Sequence, residues 1–192
     1  MDYNVFYWGP LLFRTIVEDT DLIEVGKLCK KEFSNNHNLA GHLEEQFKID
    51  NNKLENILKK YLNVFEKASS IYYNKKLNFN INVSWVNFMK KGDFNPPHIH
   101  SDDFSAVLFL SVPEEIKKEN ENFKGNGTVF EGPGAITFLY GLELDNFVTK
   151  YDLFPTRGEL YIFPAKLYHF VSPFKSDVER ISVAFNLEKI KS

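Results

Sequence analysis

Leu77-Asn78-Phe79-Asn80-Ile81-Asn82-Val83-Ser84-Trp85 alternates apolar and polar residues with a period of two, the pattern of a strand that turns one face to a core and the other to water. The chain beyond it reads in the same way. Phe104 to Val112, Ala135 to Tyr140, Asn146 to Leu153, Glu159 to Phe163, Tyr168 to Val171 and Ile181 to Leu187 are further strand candidates between turns rich in Gly, Pro, Asn and Asp. Gly125-Asn126-Gly127 reads as a hairpin tip. Short strands in succession, with no helices expected between them, predict an antiparallel sandwich or barrel.

Upstream the period changes. Leu11 to Val17 is one apolar run suited to a strand, and Asp21 with Glu24 opens a helix over residues 20 to 34 that carries Leu22, Val25, Leu28, Cys29 and Phe33. From Asn52 onward Leu54, Ile57, Leu58, Tyr61, Leu62, Phe65, Ala68, Ile71 and Tyr72 recur at three-and-four spacing across a Lys/Asn/Glu surface. That is an amphipathic helix in need of a surface to cover. The expected class is therefore α+β, with the helices packed on one face of the sheet. Residues 1–192 are expected to form a single domain, in which 1–76 are a strand and helical support region and 77–188 the core.

The 192 residues are 43% hydrophobic and 26% charged, which excludes a disordered tail or a collagen-like repeat. Lys plus Arg number 23 against 26 Asp plus Glu, so no basic surface for nucleic acid is expected. Cys29 is the single cysteine. It excludes an intramolecular disulfide or a Cys-rich metal site and suits a reducing compartment. Met1-Asp2-Tyr3-Asn4 has no basic n-region, and the longest apolar run, Phe104 to Val112, is too short to span a bilayer. The cytoplasm is the expected location, with no membrane partner.

Of the five histidines, His98 and His100 stand together in Asn95-Pro96-Pro97-His98-Ile99-His100. The prolines hold the approach extended and remove two backbone donors, so the two imidazoles leave the chain on the same side. A divalent metal is the usual reason to gather neutral imidazoles. His169 is the odd residue in the apolar strand Tyr168 to Val171, readable either as a satisfied core histidine or as a third ligand. Arg180-Ile181-Ser182-Val183-Ala184-Phe185-Asn186 places Arg180, Ser182, Ala184 and Asn186 on one face. Either that face is wet, or Arg180 points into a barrel where its planar fork and the Ser182 hydroxyl clamp a carboxylate. Asn87 continues the inward series of Leu77 to Trp85 and is a candidate for binding a cosubstrate. Trp85 itself reads as core, and His37 and His42 read as surface residues.

Together these residues resemble the iron(II)- and 2-oxoglutarate-dependent oxygenases, and within them the small prolyl-hydroxylase-like proteins of tailed viruses of marine bacteria. The resemblance covers about residues 80 to 187. It rests on Gly92 ahead of His98, on His169 well downstream, on Arg180 and Ser182 beyond it, and on the Gly158-Glu159-Leu160-Tyr161-Ile162-Phe163-Pro164 lead-in. It implies a double-stranded β-helix (jelly-roll) core, with His98, His100 and His169 holding Fe(II) and Arg180, Ser182 and Asn87 binding 2-oxoglutarate. Zn(II) could substitute for iron on isolation. The implied activity is a dioxygenase that uses O2 to couple oxidative decarboxylation of 2-oxoglutarate to hydroxylation of an unidentified small-molecule or peptidyl substrate, in the host cytoplasm if the protein is viral. Most members carry His-x-Asp. The register His100-Ser101-Asp102 would restore that carboxylate and demote His98, and Asp102 or Asp103 could instead orient a ligand histidine. Two other readings stay open, a cupin-like three-histidine metalloenzyme without 2-oxoglutarate and a noncatalytic jelly-roll module. The helical first half serves either the substrate entrance or a homodimer surface.

Overall fold

The computed structural model describes residues 2–6, 9–34, 43–125, 132–141 and 150–190. In chain order the elements are β1 (Tyr3–Phe6), β2 (Leu12–Ile16), α1 (Asp19–Leu28), β3 (Glu45–Lys48), α2 (Asn51–Tyr72), β4 (Phe79–Met89), β5 (Asn95–His98), β6 (Phe104–Ser111), α3 (Glu114–Glu121), β7 (Ile136–Leu139), β8 (Lys150–Leu153), β9 (Glu159–Pro164), β10 (Tyr168–Val171) and β11 (Arg180–Lys189). A seven-stranded sheet runs β1-β2-β9-β6-β11-β4-β3 and a four-stranded sheet runs β5-β10-β7-β8. Every pairing between these strands is antiparallel. The architecture is the expected jelly roll with helices on one sheet.

Helix α2 begins where the Asp50 carboxylate accepts the Lys53 backbone N–H at 3.1 Å, satisfying a donor the helix cannot reach itself. Its buried stripe of Leu54, Leu58, Tyr61, Leu62, Phe65 and Ala68 lies on the outer face of the large sheet, against Phe79, Ile81, Val86, Phe88, Phe104, Val183, Phe185 and Leu187. Phe65 is at the centre, its ring 5.4, 5.3 and 5.1 Å from those of Phe13, Phe79 and Phe104. The second core, Leu12, Phe109, Ile136, Phe138, Tyr161, Phe163 and Leu167, fills the space between the two sheets.

Two expectations need correction. The first helix ends at Leu28 instead of residue 34, with Cys29 as its C-cap. Its buried residues are Leu22 and Val25 alone, so no packed stripe carries it further. The short helix α3, unexpected from sequence, interrupts the strands and is anchored by one buried residue, Ile116. The tip at Asn126-Gly127, residues 146–149 of the expected strand, and His37 and His42 lie outside the described residues.

The larger correction concerns β4. In its pairing with β11, Asn186 faces Val83 and Leu187 faces Ile81, leaving Asn82 as an extra residue. This is a β-bulge, and one inserted residue moves the following side chains to the opposite face. Phe79 and Ile81 meet the helices, and so do Val86 and Phe88 beyond the bulge. Trp85, Asn87 and Met89 turn to the inner side. The stretch from Leu77 to Asn87 is thus two faces joined at a bulge. Asn82 is held there by its carbonyl, which accepts from Asn51 Nδ2 at 2.7 Å, and by its own amide, which donates to Asp102 Oδ1 at 2.7 Å. No helix among the described residues is long and apolar enough to cross a membrane.

Candidate metal centre

His98 ends β5 and His169 lies opposite it on β10, while His100 follows in the loop to β6. Gly92 makes the bend from β4 toward β5 with φ +84, a left-handed conformation that costs an L side chain. Its N–H donates to the Phe174 carbonyl at 2.9 Å. The His100 N–H is tied to Ala165 O at 2.8 Å, next to the strand that carries His169. These anchors bring one ligand atom from each of His98, His100 and His169 within 4.8 Å of one another.

The ring hydrogen bonds set the chemistry of this cluster. His98 Nδ1 lies 2.7 Å from Pro96 O, and His169 Nδ1 lies 2.9 Å from Leu167 O. A carbonyl oxygen only accepts, so each Nδ1 carries the proton and each Nε2 keeps its lone pair. Burial pushes His169 down to about 3, aided by the neighbouring His98. Burial likewise takes His100 to about 4 and lowers His98. All three are neutral at physiological pH, the protonation state a metal requires. The Phe163 ring at 4.7 Å from His169 and the Trp85 ring at 5.8 Å from His100 provide apolar walls. Trp85 is therefore a half-buried wall of the site, contrary to its reading as core, because the bulge turned it inward.

Asp102 is not part of the cluster. Its two carboxylate oxygens accept from Asn82 Nδ2 and from Asn186 Nδ2, the latter at 2.9 Å. Asp103 accepts from the Lys189 backbone N–H at 2.8 Å and pairs with the Lys189 ammonium. Both aspartates pin the loop after His100 to β4 and β11. The ring partners of His98 and His169 are carbonyls instead.

A cavity of about 70 Å³ opens from the histidines across the inner face of the large sheet and is lined by Asn87, Arg180 and Ser182 among others. Arg180 is 3% exposed. One of its terminal nitrogens donates to Gly134 O at 2.7 Å and the other contacts Met89 Sδ at 2.9 Å. Its Cζ stands 5.5 Å from the centre of the Phe109 ring. The Nε–H is buried without a partner, and burial alone lowers the guanidinium to about 10. Among the described residues no Asp or Glu lines this cavity. A buried cation without an acid beside it is costly and points to an anionic ligand. The site's donors fit a carboxylate, and its three lone pairs fit a divalent ion.

Sequence reading missed Gln46. It lies on β3, directly across from Asn87, is 5% exposed and lines the same cavity. A strand of four residues with no clear alternation left no periodic signal.

A family model for 2OG-Fe(II) oxygenases matches residues 83–186, a span that takes in every residue of this site except Leu43 and Gln46. No curated protein matches the sequence. Among solved structures, the chain is similar to the viral collagen prolyl hydroxylase of Paramecium Bursaria Chlorella virus-1 in its 2OG complex, with TM-score 0.61 and 15% identity over 95% of this chain and 98% of that one. A Pseudomonas putida prolyl-4-hydroxylase gives TM-score 0.57 and 18% identity over 94% and 93%. HygX from Streptomyces hygroscopicus, with nickel and 2-oxoglutarate bound, gives TM-score 0.52 and 9% identity over 92% and 82%. At such identities the likeness is one of fold.

Proposed function

Since this chain belongs to the 2OG-Fe(II) oxygenase family, whose model covers more than half of its length, we propose that it is a hydroxylase in which His98, His100 and His169 hold Fe(II) and Arg180, Ser182 and Asn87 bind 2-oxoglutarate. When bound, Fe(II) and 2-oxoglutarate supply the oxidising chemistry, in which O2 is consumed, 2-oxoglutarate becomes succinate and CO2, and a substrate C–H becomes C–OH. The chain's own residues bind, orient and shield. The Pro96 and Leu167 carbonyls keep two imidazoles in the tautomer that offers Nε2. Arg180, with its unsatisfied Nε–H, supplies a fixed positive charge for the far carboxylate, and Ser182, one row nearer the histidines on β11, adds a hydroxyl. Phe163, Trp85, Val107 and Ile136 give the cavity apolar walls beside its polar floor and limit water.

The observation that carries this reading is the pairing, in one cavity, of a neutral three-histidine cluster with a buried, acid-free guanidinium. A cupin-like centre without 2-oxoglutarate has no use for that cation. Asp102, spent on Asn82 and Asn186, supports the all-histidine ligand set. For the substrate we favour a peptidyl residue. The named activity of the two prolyl hydroxylases supports this, as does a groove of about 780 Å³ lined by Phe94, Pro96, Pro97, Pro133 and Phe170, which shares Asn95 and Val171 with the metal cavity.

The test is anaerobic titration of the protein with Fe(II) and 2-oxoglutarate. A visible absorption band should appear only with both present. His169→Ala should abolish it and reduce 2-oxoglutarate turnover by about 10³-fold or more, as expected when a ligand to a catalytic metal is lost. An undiminished band in that variant would overturn the assignment.

A further inference from the structure

We infer that Gln46 is a positioning residue for cosubstrate binding, which it serves by fixing the orientation of the Asn87 amide. The inference rests on the reading of this cavity as a 2-oxoglutarate site. Three buried polar side chains, Gln46, Asn87 and Ser182, stand side by side on β3, β4 and β11, in direct cross-strand register. They form one row across the cavity floor. The neighbouring rows are Met89 with Arg180 on one side and Trp85 with Ala184 on the other. The row thus lies midway between the guanidinium and the histidine end.

An asparagine amide is two-faced, with an oxygen that accepts and a nitrogen that donates, and rotation by half a turn exchanges them. Facing an anion, only the nitrogen is useful. Gln46 Nε2 donates to Asn87 Oδ1 at 2.7 Å, and this bond decides the orientation. With its oxygen held by β3, Asn87 keeps its N–H donors for the cavity, beside the Ser182 hydroxyl and one row from Arg180. Asn87 and Gln46 are 8% and 5% exposed, so water competes little and the bond is correspondingly strong. Without Gln46 the amide is free to turn its oxygen toward the acid, replacing attraction by repulsion. Gln46 does this from outside the region that the family model matches.

Gln46→Met, which keeps length and removes the donor, tests the inference together with Asn87→Ala and the double variant. Binding of 2-oxoglutarate to each Mn(II)-loaded protein is measured by calorimetry without oxygen, alongside Mn(II) affinity and thermal unfolding. Q46M should weaken 2-oxoglutarate binding by about fivefold or more, the scale of one buried hydrogen bond. Mn(II) affinity should stay within about twofold. In the N87A background the same substitution should cost less than about twofold, because its effect passes through Asn87. Gln46→Leu, a second variant should Q46M fold poorly, carries the same expectation. A purely structural role would shift unfolding and leave 2-oxoglutarate affinity alone. Wild-type affinity in Q46M, or an equal loss with and without Asn87, overturns the proposal. Failure of the wild-type protein itself to bind 2-oxoglutarate overturns the cosubstrate reading and this inference with it, so the two failures are distinct.

Discussion

The two faces of the seven-stranded sheet are made by alternate residues of the same strands, yet they obey different rules. On the outer face Val86, Phe88, Val183, Phe185 and Leu187 are sealed under α1 and α2 in one apolar core. On the inner face their neighbours Asn87, Arg180 and Ser182 are equally buried but polar, and the Arg180 Nε–H has no partner. The outer face stabilises the fold. On the function proposed above, the inner face holds groups whose partners arrive as ligands, at some cost to the ligand-free protein.

That contrast can be attacked most severely at the bulge. Inserting one further residue beside Asn82 would shift every later side chain of β4 by one position and send Trp85, Asn87 and Met89 toward the helices. The expected result is loss of the cooperative unfolding transition and of the native far-ultraviolet dichroism. A folded insertion variant that still binds 2-oxoglutarate would show that the register of β4 does not divide the faces. Next in size is Phe65→Ala on the outer side, which should cost about 3–5 kcal/mol in urea unfolding as a large core truncation. Its 2-oxoglutarate affinity should stay within about twofold wherever the variant is folded. Arg180→Met on the inner side should do the reverse. It should weaken 2-oxoglutarate binding by about 100-fold while raising the stability of the metal-free chain by about 1–2 kcal/mol, since a buried charge without a counter-ion is removed. A destabilised R180M would place Arg180 among the structural residues.

Much of this division was legible in the sequence where short-range patterns suffice. Strands β6, β9, β10 and β11 follow from apolar runs and alternation, and β11 shows Arg180 and Ser182 on the face opposite Val183 and Phe185. The gathering of His98, His100 and His169 was legible from spacing and resemblance. The bulge at Asn82 was not, because an extra residue exists only relative to a partner strand, and Leu77 to Trp85 alternates straight through it without a break. Trp85 was misassigned for that reason. Gln46 acquires meaning only through a neighbour far along the chain. The fate of Asp102 was equally hidden, since Asn82 and Asn186, which occupy its oxygens, come from two other strands.

The capture of Asp102 by those two amides reaches beyond ligand choice. Among the described residues it leaves the cavity lining without any anion and with Arg180 as its one permanent charge, so a divalent ion arriving alone enters ground that is already electropositive. In the proposed function the dicarboxylate is then the counter-charge for both. Ion and acid each improve the other's hold by the same factor, as linkage requires, and scarcity of one loosens the other.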